Sequence, residues 1–228
     1  MVSMPGPNRQ QFYAVSAAAV WLVAGFGYLT LEGFAAAGFN EHYSYRHDFI
    51  SDLGEIGSPL AYLMNTAFCM QGTLFLVGAV LVQRAFESPK AAWFLTFAAM
   101  NALGNVLIAL FHSGPSARAE GTLWIHVTGA LLAIAGGNAA ILAGSAVLRH
   151  AGWPPWYRTI SAGLAVLGLL SLMMLVIESK VAAVRILPPA TWERCSVYPI
   201  TAWQIFTAAC LFARDRRQIR GRGPAIHG

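Results

Sequence analysis

Six long apolar stretches separated by short polar connections divide the 228-residue chain, and no other feature restricts its fold so strongly. A helix needs about 20 predominantly apolar residues to cross a hydrocarbon core of about 30 Å. The stretches lie near residues 12–32, 60–85, 91–111, 123–148, 159–177 and 198–213. Transmembrane strands would instead be segments of about 10 residues with alternating polarity; these runs are continuous and rich in Ala, Leu and Gly. Only 11% of the residues are charged, against roughly 25% in an ordinary soluble domain, so lipid is the main solvent. The expectation is an all-α polytopic integral membrane bundle of six transmembrane helices. It forms a single membrane domain over residues 1–228, multi-pass in the cell membrane, with no room for a separate soluble domain.

The connections carry their own punctuation. Ser58 and Pro59 read as an N-cap followed by proline at the first helical position, and Pro154-Pro155 must interrupt any helix crossing between spans four and five. Ala35-Ala36-Ala37 resembles a signal-peptide cleavage site, but the apolar stretch before it is about twice the usual core length, which reads as an uncleaved first span. Cys69, Cys195 and Cys210 have no metal spacing, and no disulfide framework is expected.

Lys and Arg set the orientation. Arg9, Arg84, Lys90, Arg149, Arg158, Arg214, Arg216, Arg217, Arg220 and Arg222 fall on one side, and Arg46, Arg118, Lys180, Arg185 and Arg194 on the other, ten against five. The positive-inside rule then places both termini in the cytoplasm, with residues 214–228 as a basic tail that acts as a stop-transfer signal or touches anionic headgroups. The net charge of +5 is spread over these connections rather than gathered on a folded basic face, so no nucleic-acid partner is expected.

Residues capable of chemistry gather on the opposite, outer side. In YSYRHDFISDLGEIGSP, Phe49, Ile50, Leu53 and Ile56 can dip into the bundle while His47, Asp48, Ser51 and Asp52 face a polar pocket; alternatively Ser51 and Asp52 only cap a short interfacial helix. Asn101, Asn105 and His112 fall within about 40° of one face of span three. His126 lies above the small-residue stripe Gly129, Ala130, Ala133 and Gly137, which lets another helix approach closely. The structural reading of the asparagines is interhelical hydrogen bonding, and of either histidine a satisfied core residue. Glu193 and Arg194, just before the sixth span, are neighbours that cannot pair with each other. Arg194 is therefore expected to reach Asp48 or Asp52, and Glu193 to reach His47 or His112.

Several segments resemble the bacterial and archaeal membrane family catalogued as domain of unknown function 998: DFISDLGEIGSP, NTAFCMQGTLFL, GNVLIALFHSGP, GTLWIHVTGALLAI and WERCSVYPITAW. The resemblance runs from Tyr43 to Ala213. It implies a six-helix fold with polar motifs clustered on one side, carried by Ser51, Asp52, Gly54, Asn65, His126, Glu193 and Arg194, and an activity not yet settled. FHSGPSARAEGT replaces the family's usual proline-containing segment after span three and adds His112.

Two functions from different classes fit these residues. One is an intramembrane enzyme acting on a lipid or isoprenoid from the outer leaflet. It would use Asp52, Glu193, His126, His112 and His47 for acid–base work, and Ser51, Asn65, Asn101, Asn105, Arg194, Tyr198 and Trp203 for binding, with arginine as an anion clamp. A hydrolase or an acid-initiated cyclase would both fit, the latter with Tyr198 and Trp203 steadying a cation. No metal-ligand spacing is present, the cofactor is open, and a haem-binding bundle lacks a second histidine pair. The other function is a non-enzymatic membrane component: a transporter accessory, carrier or sensor. The glycine stripe of span four would serve a contact within one chain or a homo-oligomer.

Overall fold

The computed structural model describes residues 7–39, 43–181 and 186–221; Arg185, Arg222 and the end of the basic tail lie outside them. The described residues form seven α-helices and one 3-10 turn, with no strand among them. Helices α1 (Pro7–Ala37), α2 (Ala61–Phe86), α3 (Ala91–Leu110), α5 (Leu123–His150), α6 (Pro155–Lys180) and α7 (Pro189–Gly221) each contain a span long and apolar enough to cross a membrane. The short helix α4 (Gly114–Ala119) and the 3-10 turn Ser51–Gly54 lie in connections. In lipid every backbone polar group must be paired within its own segment, so continuous helices are the economical solution for such runs.

The six long helices close into a ring in the order α1, α2, α3, α5, α6, α7, with α7 also leaning against α5. The described start of α1 and the later part of α7 meet at one end of the ring, where Gln10 and Gln11 share a cleft with Arg214 and Asp215. We call this the tail end. The 3-10 turn and α4 cover the other, the loop end.

Close approach between helices depends on absent side chains. A Cβ added to Gly104 would stand 2.2 Å from the Ala133 nitrogen and 2.4 Å from the Gly129 carbonyl oxygen, and one on Gly137 would stand 2.4 Å from Ile200. The small-residue stripe of α5 is thus filled by α3 and α7 of the same chain. Toward the tail end the ring is packed solid by Trp21, Phe75, Phe94 and Trp203, all fully buried, with the Trp21 and Trp203 rings 5.2 Å apart.

Four helix starts differ from the sequence reading: α1 begins at Pro7 and α6 at Pro155, a few residues before the expected 12 and 159, and α2 and α7 depart for chemical reasons. Helix α2 begins at Ala61 with Leu60 as its N-cap, and the Ser58 hydroxyl instead donates to the Asp52 carbonyl at 2.5 Å. Helix α7 begins at Pro189, not at Tyr198, and runs through Pro199. Proline at 199 cannot donate to the carbonyl four residues back, a loss that membrane helices tolerate when neighbours compensate. Glu193 and Arg194 consequently stand on the first turns of α7 rather than in a loop.

Candidate functional site

The connection after α1 folds onto the bundle because its own side chains bind its backbone. Asp48 accepts the Ser44 N–H at 2.7 Å and Asp52 the Phe49 N–H at 2.9 Å, while the Tyr43 hydroxyl donates to the Phe49 carbonyl. Ile50 and Leu53 are buried, as their pattern predicts, but Ile56 is exposed. Burial pushes the Asp52 carboxyl up from its ordinary value, with the Phe49 N–H opposing and the Asp48 charge assisting.

Helix α7 fastens this connection with two consecutive residues. Arg194 Nη1 donates to the Asp48 carbonyl at 2.6 Å and Nη2 to the Tyr43 hydroxyl, and its guanidinium lies 5.1 Å from the Tyr45 ring centroid. Its carboxylate partner is Glu32 of α1, at 3.9 Å, and Glu32 also accepts the Tyr198 hydroxyl at 2.8 Å. This corrects the expected pairing with the Asp48 or Asp52 side chain: both carboxylates are already engaged by backbone N–H groups of their own loop, and only the Asp48 carbonyl is offered. Glu193 points about 100° away around the helix and accepts the Ile50 N–H at 2.5 Å. The expected contact with His47 or His112 does not form. His47 is exposed, and His112 lies past the end of α3, where Phe111 turns extended and breaks the helical phase that would have aligned it with Asn105.

Inside the loop-end half lies a cavity of about 50 Å³, lined on its polar side by Ser51, Gln71, Asn101, Asn105, His126, Glu193 and Thr201, with Tyr28 and Phe68 among its other walls. Asn101 Nδ2 donates across to the Ala133 carbonyl at 2.7 Å, and Asn105 Nδ2 back to the Asn101 carbonyl at 2.9 Å, so both amides tie backbone as well as facing the chamber. His126 Nδ1 is 2.8 Å from the Phe111 carbonyl. A carbonyl can only accept, so Nδ1 carries the proton and Nε2 of the neutral ring is left with its lone pair.

A groove of about 350 Å³ runs outside the chamber between α5 and α6, walled by Val127, Leu131, Leu172, Leu175 and Val176. Ser51, His126, Ala130, Ile134 and Glu193 line both spaces. Asp52 and Arg118 lie along the groove only.

Of the candidate residues, the structure therefore brings Ser51, Asn101, Asn105, His126 and Glu193 to the chamber and Asp52 to its approach. It does not bring Arg194, Tyr198, Asn65, Trp203, His47 or His112 to that lining. Asn65 donates to the Gly54 carbonyl at 3.1 Å, and Trp203 is locked in the aromatic core with its indole N–H on Ser161. Tyr28, Gln71 and Thr201 are lining residues that the sequence reading missed. The available signal was the presence of Gln71 inside an apolar run, since polar groups in spans turn inward. Among the described residues no three His, Cys, Asp or Glu side chains gather as a metal-ligand group.

Six apolar helices, five of them lining a chamber whose wall carries several polar side chains, define a multi-pass α-helical membrane protein. Residues 14–210 match the family described as Protein of unknown function (DUF998), and the chain belongs to that family. No curated protein and no solved structure matches it.

Proposed function

We propose that this protein is an intramembrane enzyme that hydrolyses a lipid or isoprenoid ester, admitting its substrate sideways from the bilayer. The observation that carries this reading is the sharing of His126 and Glu193 between the chamber and the lipid-facing groove. A chain lying in the groove brings its polar end to both side chains without leaving the membrane. His126 Nε2 takes a proton from water as the water oxygen bonds to the carbonyl carbon. The ester C–O bond then breaks, and the imidazolium returns the proton to the leaving alkoxide. Glu193, fixed by the Ile50 N–H, orients the water.

Hydrolysis suits the geometry better than acid-initiated cyclisation, because Tyr198 and Trp203 do not line the chamber. A carrier is disfavoured by the aromatic packing that closes the tail-end half. We also propose that both termini are cytoplasmic, so that the site opens to the outer leaflet; the described tail-end residues Arg84, Lys90, Arg149, Arg158, Arg214, Arg216 and Arg217 support this orientation. A non-enzymatic role draws on the backbone ties of Asn101 and Asn105, which also suit a scaffold.

Untargeted lipid comparison of a deletion strain, complemented with wild type or with Glu193→Gln, tests the enzyme. Wild type should restore the lipid profile and Glu193→Gln, at normal abundance, should not. Full restoration by Glu193→Gln removes the enzyme reading.

A further inference from the structure

The chamber has a chemical polarity of its own. The Asn101 amide nitrogen is committed to Ala133, which leaves its buried Oδ1 as an acceptor without a partner. His126 Nε2 is an acceptor by the tautomer argument, and Glu193 contributes a carboxylate when ionised. The Thr201 hydroxyl is buried and unpartnered, and the Gln71 amide keeps one polar atom free after bonding to Gln204. Among the described lining residues there is no Lys or Arg, because Arg194 turns away into the Glu32, Tyr43 and Tyr45 cluster. Buried polar atoms are ordinarily hydrogen-bonded, and a set left open by the protein around one cavity points to a ligand or water that completes it.

We propose that the chamber receives the hydrogen-bond-donating end of a long-chain lipid, a hydroxyl or an ammonium, and rejects a phosphate. The inference rests on the reading of this chamber as the substrate site. The Asn101 and Gln71 amide oxygens, His126 Nε2 and Glu193 converge on a donor, such as the alcohol that ester hydrolysis would release, whereas a phosphate dianion would be buried with no cation beside it. The cavity of about 50 Å³ fits a chain terminus rather than a bulky head. Arg194, at first sight an anion clamp, is a positioning residue for the loop.

The test is thermal unfolding of the full chain in nanodiscs with hexadecanol, hexadecylamine or hexadecyl phosphate, for wild type and Thr201→Val. The substitution keeps the side-chain shape and removes a hydroxyl that no protein group uses, so the unliganded midpoint should hold. Hexadecanol or hexadecylamine should raise the wild-type midpoint by about 3 °C or more, Thr201→Val should lose at least half of that rise, and hexadecyl phosphate should give none. A rise with the phosphate equal to that with the alcohol or amine, no rise with any probe, or an unchanged rise in Thr201→Val would each overturn the proposal. Binding is read here without turnover: if the alcohol binds while Glu193→Gln restores the lipid profile, the donor site stands and the enzyme falls.

Discussion

The two halves of the ring surround their buried polar groups differently. Toward the tail end, the Trp21 indole donates to the Phe75 carbonyl, the Trp203 indole to Ser161, and Tyr157 meets Thr207 at 2.7 Å, all inside an aromatic core. Toward the loop end, Asn101, Gln71 and Thr201 carry buried polar atoms that no protein group satisfies, around open space. The same six helices, each apolar enough to cross a membrane, build both halves. Apolarity alone therefore does not separate framework from site; the separating property is whether unpartnered polar groups gather around one open space.

Five substitutions, two of them paired, can break or sharpen that contrast. Trp203→Ala, in the packed half, should cost about 3 to 5 kcal/mol, since a large ring is removed where neighbours cannot collapse; loss of membrane abundance and of the thermal midpoint would show it, and a near-neutral result would mean that this half is not the framework. Arg194→Ala should cost about 3 to 4 kcal/mol because it strands Glu32 in the bundle, and adding Glu32→Gln should recover part of the loss. Strict additivity in a double-mutant cycle would remove the pair. Gly104→Ala should cost about 1 to 3 kcal/mol by prising α3 from α5, measured by unfolding in detergent. Glu193→Gln should change stability by about 1 kcal/mol or less, because the amide oxygen can still accept the Ile50 N–H, while abolishing turnover. A large fall in abundance would instead make Glu193 part of the framework.

The fold was legible because continuous apolar runs leave helices as the only paired backbone, and because Pro154-Pro155 marks its boundary chemically: α5 stops at His150 and α6 starts at Pro155. The spacing of Asn101 and Asn105 likewise revealed a face, since both lie within one unbroken helix. His112 escaped the same rule because the helix stops before it, and α7 was read too short because Pro199 imitates a start. The Glu32 partner of Arg194 could not be read from spacing at all: it depends on α1 and α7 being neighbours in the ring. Thr201 needed the rotation of its helix, which packing decides, whereas Gln71 was open to the rule that polar groups in spans turn inward.

The ring is also uneven in height. Helix α3 has 20 residues and its neighbour α2 has 26, so at about 1.5 Å per residue the loop-end rim drops by roughly 9 Å where α3 ends. Phe111 stands at that step, holding His126 by its carbonyl, and the connection above it carries the exposed Arg118 and Glu120. The Ser113 hydroxyl, donating to the Ser51 carbonyl at 3.2 Å, ties this connection to the 3-10 turn across the step. The polar connection after α3 meets His126 from above through the Phe111 carbonyl, while the apolar groove between α5 and α6 meets it from the flank, so polar and apolar surroundings converge on the same histidine from different sides.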